Sequence, residues 1–338
     1  MNTTKSAFAD LDTALNLDPD ERAAAQNRHQ AVTTTLRTAS LIEATFLQGS
    51  FARKTMLKPL KDVDMVIVLH PAVAEEHALT APGGATRAMN LIRRVVEQAF
   101  PGARFDVEDR PAHALQVTFA DLDFTFDLVP ALNDPGTEDV FIANRESDAT
   151  TPWERSNTRT LNRVISERNR ATGGRFVHQV RMLKQLKKDH PLLDDTCGLL
   201  WEAFAYRAVT AATDHSEALA ATLAHAAQAV AGPVHDPTGV DDLTAKWTPG
   251  QRAGYAQALR TAADQAAEAR RLEQDGDHDA AIDIWHTLIG DAFPASPGQT
   301  AADALRALAS GSITSTGRAV TSQRAQQPAR PSRSWRTR

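Results

Sequence analysis

Two aspartates one residue apart, Asp62 and Asp64, open the apolar run Val63 to Leu69, and a Gly-Ser pair, Gly49-Ser50, lies upstream of them. On a strand, residues so spaced point to one face, about 7 Å apart along the chain. Hard divalent cations prefer oxygen ligands and readily share them with substrate phosphates, so such a pair can hold Mg²⁺ together with a nucleoside triphosphate. A glycine lets backbone N–H groups come close to a phosphate, and a helix N-terminus favours anions. Asp-x-Asp alone is common and reads equally as a solvated strand entrance; its company gives it weight.

That company includes a third acid. Residues 121–129 alternate, with Leu122, Phe124, Phe126 and Leu128 on one side and Asp121, Asp123, Thr125 and Asp127 on the other. Pro130 is expected to close this strand. Asp127, in Phe-Asp-Leu-Val-Pro, would stand beside Asp64 if the two strands are neighbours; Asp121 and Asp123 share its parity and are its rivals. Three carboxylates on adjacent strands suit a two-metal site, in which one ion activates a ribose hydroxyl and the other holds the triphosphate and the leaving pyrophosphate. Like charges this close are costly without cations.

With these residues in place, the chain resembles the DNA-polymerase-β-like nucleotidyltransferase superfamily. More narrowly it is similar to the bacterial cGAS/DncV-like nucleotidyltransferases, makers of cyclic oligonucleotide signals in anti-phage defence. The narrower likeness rests on Gly-Ser-Phe-x-Arg-x-Thr before Asp62-x-Asp64 and on Phe126-Asp127-Leu128-Val129-Pro130-Ala131. It extends through Trp153 to Asn157, Phe176 to Lys184 and Ala280-Ala281-Ile282-x-x-Trp285, about residues 40–295 in all. The resemblance implies Asp62, Asp64 and Asp127 as catalytic metal ligands, with Asp127 also placed to help a hydroxyl lose its proton. It implies Gly49, Ser50 and Lys184 as nucleotide-binding residues, Mg²⁺ as cofactor and Mn²⁺ as its substitute.

The implied fold is α+β and two-lobed: a mixed β-sheet catalytic lobe at residues 1–157, a helical lobe closing the nucleotide cleft at 158–310, and a basic tail at 311–338. The implied reaction joins nucleoside triphosphates (ATP, GTP, UTP or CTP) into a cyclic di- or trinucleotide with release of pyrophosphate. Two other readings stand beside it: a template-independent transferase acting on RNA ends or a protein hydroxyl, and a silent nucleotide sensor. A regulatory protein partner is compatible with the family.

The elements that must position these residues follow from periodicity and punctuation. Asp18-Pro19 starts a helix that is expected to run over 19–46 into a short strand at 45–48. Pro82-Gly83-Gly84 marks a loop before a helix at 86–100. Strands are expected at 104–108, 114–119 and 121–129. Helices follow at 175–189, 198–231, 250–274, 279–289 and 299–309, with a turn-rich connector at 232–239.

Length and composition set the bounds. The 338 residues allow about two domains. A net charge of −5 disfavours a nucleic-acid coat and leaves any such contact to a local basic patch. The single cysteine, Cys197, excludes an internal disulfide and a multi-cysteine zinc site, and it reads as buried packing. The N-terminus carries no apolar signal core and no run is long enough to span a bilayer, so the expected setting is the cytoplasm, away from membranes. Asp275-Gly276-Asp277-His278-Asp279 hints at a calcium loop but has Ala280 and His286 where that loop needs glycine and glutamate. It reads as a turn with Asp277 or Asp279 capping a helix. Arg53 is a second candidate for the phosphate-contacting cation, with a charge that only steers the anionic substrate as the alternative reading.

Overall fold

The computed structural model describes residues 3–106, 111–297 and Arg306. The helix expected at 299–309, the end of the strand expected at 104–108 and the basic tail lie outside the described residues, Arg306 apart.

The chain opens with two helices, α1 (Thr4–Leu15) and α2 (Pro19–Thr38). Asp18 caps α2 by accepting from the Asp20 N–H, with Pro19 in the first turn, as the sequence indicates. The helix does not continue to residue 46. It closes after Thr38 in a left-handed turn: Ser40 has φ 55°, its N–H donates to the Arg37 carbonyl, and the Leu41 N–H donates back to the Leu36 carbonyl. That reciprocal pair is a Schellman motif, and Leu36 and Leu41 are both buried beside it. The chain is thereby free to enter strand β1 (Ile42–Leu47).

A short helix, α3 (Gly49–Arg53), links β1 to β2 (Asp62–Leu69); α4 (Pro71–Glu76) and α5 (Gly84–Ala99) follow. Then come β3 (Arg104–Phe105), β4 (Leu115–Thr118), β5 (Thr125–Asn133), β6 (Val140–Ala143) and β7 (Trp153–Ser156). The seven strands form one mixed sheet in the order β1-β2-β5-β4-β3, with β6 and β7 continuing from β5. Among the described residues only β2 and β5 pair in parallel.

Strand β5 starts later and ends later than expected. Asp121 and Asp123 lie in the turn before it, and Pro130 lies within it rather than at its end. Pro130 is tolerated because it falls in a gap: β4 pairs with β5 as far as Leu128, and β6 takes over at Ala131.

The helical remainder comprises α6 (Thr158–Ala171), α7 (Phe176–Asp189), α8 (Gly198–Ala208), α9 (His215–Ala229), α10 (Pro249–Gln274) and α11 (His278–Ile289). The single helix expected at 198–231 is two, because Asp214 restarts the chain as an N-cap, accepting from the Glu217 N–H. Asp277 caps α11 through the Ala280 N–H, in keeping with the capping reading.

Two large cores result. One face of the sheet buries Met65, Ile67, Phe126 and Leu128 with Leu36 of α2 and Ile92 of α5. The other core is helical and centres on Phe176, Trp201 and Trp285. Helix α1, which sequence order groups with the sheet, packs into this second core. Its Phe8 makes edge-to-face contacts with Trp285 at 5.2 Å and Phe293 at 4.9 Å.

Candidate active site

The parity of β2 sorts its residues onto two faces. Val63, Met65, Ile67 and Leu69 go into the sheet core, and Asp62, Asp64, Val66 and Val68 take the opposite face. On β5 the same rule sends Phe126 and Leu128 inward and Asp127, Val129 and Ala131 to the face of the acids. The parallel register then sets Asp64 directly beside Asp127, and Asp62 beside Thr125. Neighbouring strands lie about 4.8 Å apart, so the carboxylates of Asp64 and Asp127 are forced into each other's field.

The electrostatics register that crowding. Burial, then the like charges of Asp62 and Asp127, push the Asp64 carboxyl up to about 6, against a smaller opposing effect of Arg53. Asp127 is also raised, first by burial and then by Asp62, while a hydrogen bond from Gln116 acts against the rise. Gln116 is the β4 register partner of Asp127, and its Nε2 donates to Asp127 Oδ1 at 3.2 Å.

Among the described residues, no three His, Cys, Asp or Glu side chains already enclose a single metal ion. The trio is a row of acids on one face rather than a closed cage. That fits a Mg²⁺ ion, which takes one or two carboxylates and completes its shell with water and substrate phosphates. An all-oxygen donor set with mutual repulsion left uncancelled is the chemistry such an ion would relieve.

Gly49 begins α3 with φ 68°, and a Cβ built on it would fall 1.8 Å from Oδ2 of Asp64. No other residue type lets the turn lie so close to the acid. The Gln48 N–H donates to the Asp64 carbonyl at 3.0 Å, stitching the turn to the strand. Ser50 lines a cleft of 340 Å³ together with Asp62 and the lysines Lys58, Lys61, Lys184, Lys187 and Lys188. A triphosphate entering there meets Ser50 of the turn, Asp62 of the trio and five lysines against Asp62 and Asp194 in one place.

Lys184, the lysine that the resemblance implies for the nucleotide, is part of a side-chain network rather than free in solvent. It borders the cleft, but its Nζ is held by Glu202 Oε1 at 2.7 Å and Thr55 Oγ1 at 3.1 Å. Arg53 is not a steering charge: it is buried, and its Nε donates to Glu202 Oε2 at 2.7 Å. Burial alone would raise the carboxyl of Glu202, yet the Lys184 and Arg53 cations overturn this and hold it at about 2.

Glu202 and Gln116 are among the residues of this region that sequence reasoning misses, as are the cleft lysines Lys58, Lys61 and Lys187. Glu202 had a signal: it is the only charge in Leu199-Leu200-Trp201-Glu202-Ala203-Phe204-Ala205, and a lone carboxylate in an apolar helical run needs a buried cation. Gln116 had none without the register. Cys197, read as buried, is exposed just before α8.

A mixed sheet bearing three acids beside a Gly-Ser helix start, with a helical core beside it, is the fold of the polymerase-β-like nucleotidyltransferases. Residues 1–169 match the family described as Second Messenger Oligonucleotide or Dinucleotide Synthetase domain, and the chain belongs to that family. It is accordingly an enzyme, a nucleotidyltransferase of the cyclic-nucleotide second-messenger class.

A probable cyclic nucleotide synthase of Bacillus cereus (strain VD146) is 21% identical over 336 residues, covering 87% of this chain and 98% of the relative. Among solved structures, E. coli MS115-1 CdnC with ATP shares the fold at TM-score 0.67 and 16% identity, over 86% of this chain and 98% of that one. The same E. coli protein in complex with HORMA-deltaN gives TM-score 0.64 and 17% identity, over 86% and 97%. Vibrio cholerae DncV cyclic AMP-GMP synthase, bound to the linear intermediate pppA(3′,5′)pG, gives 0.57 and 12%, over 86% and 87%. Among the described residues no helix is long and apolar enough to cross a membrane.

Proposed function

We propose that the chain joins two or three nucleoside triphosphates into a cyclic di- or trinucleotide, expelling pyrophosphate at each bond, as a signal in anti-phage defence. Asp62, Asp64 and Asp127 would hold Mg²⁺, or Mn²⁺ in its place, which when bound neutralises the triphosphate and makes a ribose hydroxyl more acidic. Asp127 takes the proton from the attacking hydroxyl. Gly49 and Ser50 hold the β- and γ-phosphates by backbone and side-chain donors. The lysines at the cleft mouth draw in the polyanion.

The remaining contribution is alignment, which can supply a large share of the barrier reduction when two substrates must meet in line. The observation that carries this reading is the register of Asp64 with Asp127 beside the close-packed Gly49. ATP, GTP, UTP and CTP are the candidate substrates, and a regulatory protein is a candidate partner, given that CdnC was solved with HORMA-deltaN.

Incubation with α-labelled nucleotides and Mg²⁺ tests the proposal. A small labelled product resistant to phosphatase, lost in Asp64→Asn, is the expected result. Label transferred to RNA or protein, or no turnover under any nucleotide mixture, contradicts it.

A further inference from the structure

Four side chains from the two halves of the molecule meet out of water beside the cleft. Arg53 ends α3, and Thr55 follows it; Lys184 comes from α7 and Glu202 from α8. Their exposures are 9%, 0%, 7% and 0%. Glu202 Oε2 accepts from Arg53 Nε at 2.7 Å. Glu202 Oε1 accepts from Lys184 Nζ and from the Thr55 hydroxyl, each at 2.7 Å, and from Arg53 Nη2 at 3.4 Å. The Thr55 N–H donates in turn to the Ser50 carbonyl at 2.9 Å, so the knot continues into the Gly-Ser turn itself.

Two features set this knot apart from ordinary core packing. It holds two cations and one carboxylate, leaving one positive charge beside a cleft that Lys184 and Ser50 both line. An ammonium has three protons, and the knot uses two of those of Lys184, for Thr55 and Glu202.

We infer that Glu202 is a positioning residue for nucleotidyl transfer, tying the phosphate-holding turn to the helical lobe and aiming Lys184 at the donor triphosphate. The inference rests on the triphosphate reading of the cleft. Glu202 never touches the nucleotide. It fixes Arg53, Thr55 and Lys184 at once, so the turn and the lobe move as one body when the cleft loads. Removing its charge leaves two cations at the cleft wall, which still attract a polyanion but no longer place it. The consequence is a split between turnover and binding that loss of packing alone does not produce.

The test is steady-state kinetics and direct ATP binding for Glu202→Gln, with folding checked by circular dichroism. The wild-type protein must first make product, which tests the proposed function separately. The expected result is a kcat at least about tenfold lower with KM for nucleotide unchanged or reduced. Should Glu202→Gln not fold, Thr55→Val removes one strand of the knot while keeping both ion pairs, and it is expected to lower kcat at least about threefold at constant KM. A kcat within threefold of wild type for a folded Glu202→Gln, or an unchanged kcat for Thr55→Val, overturns the inference. So does a KM that rises as much as kcat falls.

Discussion

Oδ2 of Asp64 lies so near the Cα of Gly49 that an added methyl would meet it at 1.8 Å, with the glycine already at φ 68°. Both sterics and backbone conformation therefore forbid a side chain here. Gly49→Ala must push the turn and the acid apart. Displacements of about 1 Å at a reacting centre can cost about 100-fold in rate. A loss of that order in product formation, with the fold retained by circular dichroism, is the expected outcome.

The raised carboxyl of Asp64 has a sign that can be checked. A folded-state value of about 6, above the ordinary 3.8, means the folded protein binds this proton more tightly than the unfolded chain does. The resulting destabilisation is absent below the ordinary value, builds as pH rises and is complete above 6. In chelator at pH 8, Asp64→Asn should thus be more stable than wild type, by about 1–2 kcal/mol after allowance for solvent screening. Mg²⁺ should narrow or reverse that gap by stabilising only the intact trio. Thermal melts of both proteins with EDTA and with Mg²⁺ measure it.

Glu202 runs the other way. Its folded value of about 2 lies below the ordinary 4.5, so its stabilising contribution is whole above the ordinary value and drains away as pH falls toward 2. Glu202→Gln strands two buried cations and should cost about 3 kcal/mol near neutrality. In urea titrations the difference from wild type is expected to shrink between pH 5 and pH 3.

Lys58 and Lys61 are exposed at the cleft mouth, away from the buried knot. Their work is attraction, which salt screens. The double change Lys58→Ala with Lys61→Ala should raise KM for nucleotide several-fold and flatten its salt dependence, leaving kcat close to wild type. Kinetics at two ionic strengths decide this.

The acids were legible in the sequence because strand parity is strict: once Val63 to Leu69 faces a core, Asp62 and Asp64 must share the other side. Asp127 was legible for the same reason, but its rivals Asp121 and Asp123 were excluded only by the turn that precedes β5. Pro130 misled because a proline is normally fatal to a central strand, and the gap between β4 and β6 exists only in three dimensions. The end of α2 was hidden because Ser40 adopts a left-handed conformation that glycine would have advertised. The place of α1 was hidden because nothing in residues 4–15 names Trp285 and Phe293 as neighbours. Lys184 was found as a cation of the cleft, but its ties to Thr55 and Glu202 come from residues distant in sequence and could not be read from its own helix.

Under the proposed function Asp62, Asp64 and Asp127 act together on nucleoside triphosphates. Mass spectrometry of the products formed from mixed ATP, GTP, UTP and CTP with Mg²⁺ addresses it most directly. Wild type should yield a cyclic di- or trinucleotide and pyrophosphate, and neither Asp62→Asn with Asp64→Asn nor Asp127→Asn should yield any while folded. A folded double variant that still makes the cyclic product would contradict the account.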